Sequence, residues 1–363
     1  MMKNLRFNLN MLKTQNAVLT FDKVTFDYRN LSPKRLWAWM AAEVAYATKS
    51  PFVFAAPPLI QIEPANVCNL RCPLCHVVTD DKPGGFLSYE NYKKIIDDVG
   101  DQVFILQLWG WGEPFLNRDI YPMIKYAKNR GIRIITSTNG HFFDDDANID
   151  LLIDSGLDAI IFAVDGLDAE TYEKYRHRGD FDRVMGNLRR LVRRKRERGV
   201  SHPRVNLRML VTRENEFQVP DMIAFARNIG ADIFSLKTLN FFDNYEDWKK
   251  ILPRNTDYRR FSHDSDDNPI RIPNPCKKLW NHPVIYRDGA VVPCDYHTGK
   301  KGALCNIFED SKRFKSVWSG GQFRELRRRF TKGNVINHRC NKCSLNYADN
   351  DRCVSHAFNT API

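Results

Sequence analysis

The cysteines constrain this chain more than any other feature. Of its 363 residues, nine are cysteines, at positions 68, 72, 75, 276, 294, 305, 340, 343 and 353. An odd number in two separated groups suits metal ligation better than a set of disulfides. The first residues lack the apolar segment of a signal peptide, so we expect a cytoplasmic protein with reduced thiols.

Composition places the chain among ordinary globular proteins. Apolar residues make up 43% and charged residues 27% of the sequence, and no apolar run is long enough for a transmembrane segment. The length allows one large domain or a domain with an appendage. The formal charge of +12 favours an anionic partner.

Strand and helix patterns alternate over residues 58–240. Apolar strand segments are predicted at 59–63, 103–109, 132–136, 159–164, 205–211 and 233–236. Alternation with helices predicts a parallel sheet with right-handed crossovers, as an open doubly wound sheet or a partial barrel. In both folds ligands bind at the carboxyl ends of the strands.

Three other regions flank this repeat. Residues 1–57 form an N-terminal extension, predicted to be partly helical because Ser32-Pro33 is a good helix start. Residues 241–275, rich in Asn, Asp and Pro, are predicted to be a linker. Residues 276–363 hold six cysteines and are predicted to be a small metal-dependent module.

The helix of the extension has two interpretations. Helical spacing predicts that one face packs against the repeat, through Leu36, Trp37, Met40 and Val44. Alternatively Lys34, Arg35 and Trp39 lie at a membrane surface, as a peripheral contact.

A cysteine loop follows the first predicted strand. Cys68, Cys72 and Cys75 are spaced Cys-x3-Cys-x2-Cys. Three thiolates are one fewer than a structural zinc site uses, whereas they would leave one iron of an iron–sulfur cluster open for another ligand. His76 could be a fourth ligand, which keeps a Cys3His zinc site open.

Turns after the next three strands complete a pattern. They read Gly-Trp-Gly-Glu-Pro at 110–114, Ser-Thr-Asn-Gly at 137–140 and Ala-Val-Asp-Gly at 163–166. With the cysteine loop, they resemble the radical S-adenosylmethionine (SAM) superfamily, whose turns read Gly-Gly-Glu-Pro, Thr-Asn-Gly and Ser-Leu-Asp-Gly. The chain departs from these at Trp111 and at Ala163.

The resemblance implies a fold and a set of cofactors. The fold is a partial (β/α)6 TIM-like barrel, and Cys68, Cys72 and Cys75 bind a 4Fe–4S cluster whose open iron holds SAM. A donor such as flavodoxin or ferredoxin reduces the cluster, and SAM is cleaved to a 5′-deoxyadenosyl radical that abstracts a substrate hydrogen. The implied SAM contacts are Gly112, Glu113, Ser137, Asn139, Asp165 and Arg176.

The later cysteines resemble the SPASM domain and its shorter relative, the twitch subdomain. One auxiliary 4Fe–4S cluster is expected at Cys276, Cys294, Cys340 and Cys343. A second cluster is not expected. The SPASM domain has a late pattern Cys-x2-Cys-x5-Cys-x3-Cys, whose last two positions here are 349, which is Asp, and 353, where only Cys353 matches. Cys353 could replace one of these four ligands, and Cys305 is expected to be a buried thiol. A zinc ribbon is the alternative to the auxiliary iron–sulfur cluster.

Candidate chemistry follows from the neighbours of these cysteines. Asp295 follows Cys294, and in sulfatase-maturing relatives an Asp so placed is a general base, which oxidation of an alcohol or amine requires. A solvated or cluster-capping Asp is the alternative. Cys305 or Cys353 could instead donate a hydrogen atom in an epimerisation.

Three functions were weighed on this basis. The first is a tailoring oxidoreductase acting on a polar small molecule, sugar-like or phosphorylated, which fits the basic segments 189–198 and 324–332. The second is maturation of a ribosomal peptide or protein by oxidation, epimerisation or crosslinking. The third is a zinc-containing nucleic-acid-binding protein, although no nucleic-acid-binding module is recognisable.

Overall fold

The computed structural model describes residues 2–73, 75, 77, 83–238, 249–266, 268–274, 276–296, 302–310, 312–333, 340, 343–348 and 355–363. Strands β1 to β12 are Ala17–Phe21, Val24–Tyr28, Leu59–Ile62, Ile105–Gln107, Arg133–Thr138, Ala159–Ala163, Arg204–Val211, Ile233–Thr238, Val284–Ile285, Ala290–Val292, Cys305–Asn306 and Ser355–Ala357. Helices α1 to α11 are Met2–Thr14, Pro33–Ala47, Tyr89–Val99, Ile120–Lys128, Asp146–Asp154, Ala169–Tyr175, Phe181–Glu197, Val219–Ile229, Lys278–Asn281, Phe314–Trp318 and Gly321–Thr331.

A mostly parallel sheet organises the protein. In the described part of the chain it has ten strands, in the order β11-β10-β9-β3-β4-β5-β6-β7-β8-β12. Strands β3 to β8 are adjacent in sequence order and parallel, and helices connect them. Each of the six predicted strands overlaps one of these, and the predicted partial (β/α)6 barrel is confirmed.

The two faces of the barrel strands have different partners. Outward residues such as Ile60, Leu106 and Ile134 share one large apolar cluster with the helices. Inward residues near the amino ends of the strands, such as Ile105 and Ile135, belong to a second cluster with the N-terminal extension. We call the space enclosed by the inner faces of β3 to β8 the lumen.

An N-terminal hairpin, β1–β2, closes the amino end of the lumen. Phe26 and Tyr28 are buried against the inward residues, and the Tyr28 hydroxyl donates to the Phe104 carbonyl oxygen at 2.8 Å. Asp22 and Lys23 form its turn at positive φ angles of 48° and 69°. The sequence interpretation missed this hairpin because Asp-Lys is a weak signal for such a turn, where Asn-Gly or Asp-Gly is usual.

Helix α2 begins where Ser32-Pro33 predicted, with the Ser32 hydroxyl accepting from the Arg35 backbone N–H. Its buried side chains are Leu36, Ala38, Ala42 and Ala45. The predicted packing face was therefore wrong in part, because Trp37 and Val44 are both 54% exposed. The small alanines let α2 approach the barrel closely on another face.

The side chains considered for a membrane contact each have a partner in the protein, although Lys34 remains exposed. Lys34 pairs with Asp101 at 2.7 Å, and Arg35 donates to backbone carbonyl oxygens, including that of Val103. The Trp39 indole N–H donates to Asn8. Among the described helices, none has the length and apolarity needed to cross a membrane.

The C-terminal module continues the barrel sheet. Strand β9 pairs in parallel with β3, and β10 pairs antiparallel with both β9 and β11. The predicted linker is packed rather than loose in its described part: Leu252 and Phe261 are buried, and the Ile272 N–H donates to the Asn346 carbonyl oxygen at 2.7 Å.

Candidate active site

The cysteine loop and the turn after β4 are in direct contact. The Glu113 N–H donates to the Val67 carbonyl oxygen at 2.8 Å. A Cβ atom at Gly112 would lie 2.5 Å from the Ala65 carbonyl oxygen and 2.6 Å from that of Val67. Only glycine therefore allows this turn to lie against the start of the cysteine loop.

The Glu113 carboxylate joins the second and third turns. It accepts from the Thr138 hydroxyl at 3.0 Å, from the Asn139 N–H at 2.7 Å and from the Phe115 N–H at 3.2 Å. Burial raises the pKa of Glu113 to about 7, although these donors and Arg176 act in the opposite direction. The carboxylate is thus half ionised near neutral pH and responsive to a cation.

The third turn reaches the cysteine loop through Asn139. Its amide donates to the Asn69 side-chain oxygen at 2.8 Å, and the same nitrogen lies 3.7 Å from the Cys68 sulfur. Ser137, two residues earlier in the sequence, is half-buried on the inner face of β5, on the same side as Ile135. Both residues lie at the carboxyl end of the strand, as predicted.

Asp165 holds Arg176 beside the cysteines. The fully buried carboxylate accepts from the Arg176 Nε at 2.5 Å and from the Leu210 N–H at 2.6 Å. An Arg176 terminal nitrogen lies 3.9 Å from the Cys72 sulfur. Burial acts to lower the pKa of Arg176, but Asp165 and Cys72 outweigh it and raise that pKa further. Asp165 therefore positions Arg176.

The three thiols of the loop lie among these groups. The Cys68 sulfur accepts from the Leu70 N–H at 3.4 Å, and the Cys75 sulfur lies 3.7 Å from the Trp111 carbonyl oxygen. Burial raises the pKa of all three thiols, that of Cys68 to about 11. A bound cation would offset this cost of forming thiolates. His76 lies outside the described residues.

A second set of thiols surrounds one cavity in the module. Cys276, Cys294, Cys340 and Cys343 all line it, together with Leu279, Pro293, Phe330 and Leu345. Four cysteines around an apolar cavity are the donor set that a 4Fe–4S cluster uses. Among the described residues, no three of His, Cys, Asp and Glu are placed as ligands of a single metal ion.

The spare cysteines stand apart from this cavity. Cys305 is not among its lining residues, and it is only half-buried because its two-residue strand β11 lies at an edge of the sheet. The expectation of a buried thiol was therefore only partly correct. Position 349 and Cys353 lie outside the described residues.

Asp295 lies beside the cavity in a group of charged side chains. It forms an ion pair with Lys278. Burial acts to raise its pKa, but the charge and hydrogen bond of Lys278 outweigh burial, and the pKa is lowered. His282 is 6% exposed, its Nε2 has no hydrogen-bond partner among the described residues, and burial lowers its pKa to about 3. Asp295 is therefore an ionised carboxylate facing a neutral imidazole.

Sequence models of known families match both parts of this arrangement. The model of the radical SAM superfamily matches residues 62–226, and that of the iron–sulfur cluster-binding SPASM domain matches residues 276–344. The chain belongs to the radical SAM superfamily. Its cofactors are accordingly SAM and 4Fe–4S clusters, and it carries a SPASM-type module.

Three known proteins illustrate its relatives within the radical SAM superfamily. It is 24% identical over 321 residues to a tungsten-containing aldehyde ferredoxin oxidoreductase cofactor-modifying protein of Pyrococcus furiosus, covering 79% of this chain and 87% of that one. It is 26% identical over 285 residues to the subtilosin biosynthesis protein AlbA of Bacillus subtilis, covering 73% and 60%. The crystal structure of SAM-bound SuiB of Streptococcus suis aligns with a TM-score of 0.61 at 17% identity, covering 83% and 74%, and shows the shared fold.

Several polar residues on the inner face of the barrel strands were missed from sequence. Gln107 and Asn206 are buried in the strands β4 and β7, and the Gln107 Oε1 and Asn206 Nδ2 atoms have no hydrogen-bond partner among the described residues. Arg208 points inward to Asp22 of the hairpin, at 2.8 and 3.0 Å. The available signal was a polar residue within an apolar strand, which usually marks a lined cavity.

Proposed function

We propose that this radical SAM enzyme dehydrogenates a polar small molecule, with Asp295 accepting the proton. The observation that carries the proposal is the position of Asp295. It follows Cys294 of the auxiliary cavity, and it is close enough to Lys237 of the last barrel strand for their charges to interact. The carboxylate thus lies beside the auxiliary thiols, within electrostatic range of the last barrel strand.

The cofactors supply a hydrogen-abstracting radical and an acceptor for one electron. We assign one cluster to Cys68, Cys72 and Cys75 and the auxiliary cluster to Cys276, Cys294, Cys340 and Cys343. Conversion of an alcohol to a carbonyl removes one hydrogen atom from carbon, then one electron, and one proton from oxygen. Asp295 takes that proton, while Lys278 keeps the carboxylate ionised beforehand.

The low basicity of Asp295 suits this chemistry. Loss of an electron from a hydroxyalkyl radical leaves a protonated carbonyl, which is a strong acid. A weak base is then sufficient, and a base that is always ionised at neutral pH is always ready. Lys237 and Lys278 are the basic side chains whose charges act on this carboxylate, and Lys278 is paired with it.

The main alternative function is peptide maturation, which requires a larger substrate. The Pyrococcus furiosus relative, which this chain spans almost fully, is named for modification of a cofactor, and this supports a small molecule. AlbA is named for biosynthesis of a bacteriocin, which favours peptide maturation as the second candidate. We retain the small molecule because this chain covers 87% of the Pyrococcus furiosus relative and only 60% of AlbA.

Anaerobic reconstitution tests the enzyme and its clusters. We expect about eight irons per chain, from two four-iron clusters, and reductive cleavage of SAM to 5′-deoxyadenosine. Cys72→Ala should abolish cleavage, whereas Cys276→Ala should retain cleavage with about four irons. Stoichiometric zinc without SAM cleavage would contradict the proposal.

A fractionated cell extract tests the class of substrate. An extract of the source organism is separated by ultrafiltration into small-molecule and peptide fractions, and each is added to the reconstituted enzyme. Faster 5′-deoxyadenosine formation with the small-molecule fraction supports the proposal. Asp295→Asn should keep this stimulation but lose the oxidised product. Stimulation by the peptide fraction alone would favour peptide maturation.

A further inference from the structure

Strands β9 and β10 form a hairpin, which we call the auxiliary hairpin. Its turn donates hydrogen bonds to the chain at both ends of the cysteine loop. Arg287 lies in the turn between β9 and β10, and its Nε donates to the Asn66 side-chain oxygen at 2.8 Å. An Arg287 terminal nitrogen also donates to the Pro83 carbonyl oxygen. Asn66 precedes the loop that carries Cys68, Cys72 and Cys75, and Pro83 follows it. One side chain of the module therefore binds the chain on either side of the three thiols.

Glu63 accepts hydrogen bonds from this turn and from the turn at residues 110–114, which we call the SAM turn. Its Oε2 accepts from the Arg287 N–H and its Oε1 from the Trp111 N–H, each at 3.4 Å. The carboxylate is 3% exposed and follows directly after β3. A buried carboxylate with both oxygens engaged is costly to displace, so the two turns are held in a fixed relation.

Trp111 adds a packing contact at the same place. Its side chain packs against the hairpin residues Val284, Tyr286, Ala290 and Val292. Its carbonyl oxygen lies 3.7 Å from the Cys75 sulfur. The superfamily has Gly at this position, and here the large side chain joins the SAM turn to the module.

We propose that the auxiliary hairpin positions the SAM site, with Arg287 and Trp111 as positioning residues, so that loading of the auxiliary cluster strengthens SAM binding. The inference rests on the proposed assignment of the two clusters to their cysteines. Strands β9 and β10 have only two and three residues, and Cys294 comes two residues after β10. Ligation of Cys294 therefore orders the hairpin, because the free energy of metal binding becomes folding free energy.

A coupling of this kind is reciprocal and measurable. If the auxiliary cluster strengthens SAM binding by a given factor, SAM must strengthen retention of the cluster by the same factor. Couplings of this type are typically about 5- to 150-fold. We expect a change on the order of tenfold in the dissociation constant of SAM.

The experiment is a double-mutant cycle on SAM binding. The variants are Cys340→Ala/Cys343→Ala, which removes two auxiliary ligands without changing the hairpin, Arg287→Ala, and their combination. SAM is titrated into each reconstituted, reduced protein, and binding is followed by the change in the electron paramagnetic resonance spectrum of the SAM cluster. Each change alone should weaken binding about tenfold, and the combination should weaken it no further.

Two further variants separate positioning from general damage. Arg313→Ala is the matched control, because Arg313 also joins the module to the barrel, by donating to Asp98 of α3. It should leave SAM binding unchanged. Trp111→Gly, which restores the residue of the superfamily, should weaken SAM binding, and Trp111→Phe should recover most of the affinity.

Specific outcomes would overturn the inference. One is unchanged SAM affinity in the protein without auxiliary ligands. Another is a combined variant that binds about a hundredfold more weakly, which would show two independent effects. A third is an equal loss in Arg313→Ala. Failure of the proposed function is distinguishable, since it would appear in the wild-type protein as missing iron or absent SAM cleavage.

Discussion

The buried Glu113 predicts a pH dependence of SAM binding. Its carboxylate lies in the Gly-Trp-Gly-Glu-Pro turn, which the resemblance to the superfamily implies holds the SAM amino group, and burial raises its pKa to about 7. A bound ammonium group favours the ionised carboxylate, so binding below this pKa requires loss of a proton. SAM affinity should therefore increase as the pH rises through 7.

The size of the effect follows from the pKa. At pH 6 about one Glu113 in eleven is ionised, and at pH 8 about ten in eleven are. The affinity of the wild-type protein should therefore rise about tenfold between these values. The amino group of SAM also titrates, since α-amino groups have pKa values of about 7.7–8.0. Its contribution is common to all variants.

Glu113→Gln isolates the carboxylate. This variant keeps one of the two side-chain oxygens that accept from Thr138 and from Asn139, and it has no charge in this range. SAM titrations of the reduced proteins at pH 6, 7 and 8 give the two slopes. We expect the tenfold rise between pH 6 and pH 8 to be absent from the variant, so that the ratio of wild-type to variant affinity increases about tenfold over this range. An identical slope in both proteins would refute the reasoning.

Three further predictions concern the fold around the site. Gly112→Ala should abolish SAM cleavage, because the new Cβ would meet two backbone oxygens, whereas Gly186→Ala, with no atom within 4 Å of its Cβ, should leave cleavage intact. In urea unfolding, Phe26→Ala should cost about 3–5 kcal/mol, because Phe26 is fully buried in the hairpin; Val18→Ala, at a 52% exposed position, should change stability by less than about 0.5 kcal/mol. Asp232 has a lowered pKa, since Lys195 and Arg204 outweigh its burial. Its contribution to the free energy of unfolding is present above pH 3.8 and is lost as the pH falls below that value. In acid unfolding, Asp232→Asn should therefore lose less stability than the wild type over this range.

The barrel was predictable because its signals are local. Each strand is a short apolar run, and helices begin at capping side chains such as Ser88 and Asp168. The turns that follow the strands then meet because parallel strands share a carboxyl edge. Glu113, Asn139 and Asp165 could therefore be placed together before any contact was known.

The contacts that were missed are long-range. The pairing of Asp295 with Lys278 depends on where a four-residue helix lies relative to β10, and no periodicity records that. Arg287 looked like an ordinary turn residue, and only the structure shows its reach to Asn66 and Pro83. Trp37 and Val44 have helical spacing, but the neighbouring alanines decide which face of α2 is buried.

The parallel pairing of β3 with β9 has a consequence for synthesis of the protein. Gln61 is paired with Val284, so the first strand of the barrel keeps one open edge until nearly four fifths of the chain has left the ribosome. Unpaired parallel edges promote aggregation of nascent chains. Expression fragments that stop after β8 should therefore aggregate, whereas added chaperones should raise the yield of the full chain. Because β9 covers the open edge of β3, we expect the barrel to be recovered only with the C-terminal module attached, even before any iron is added.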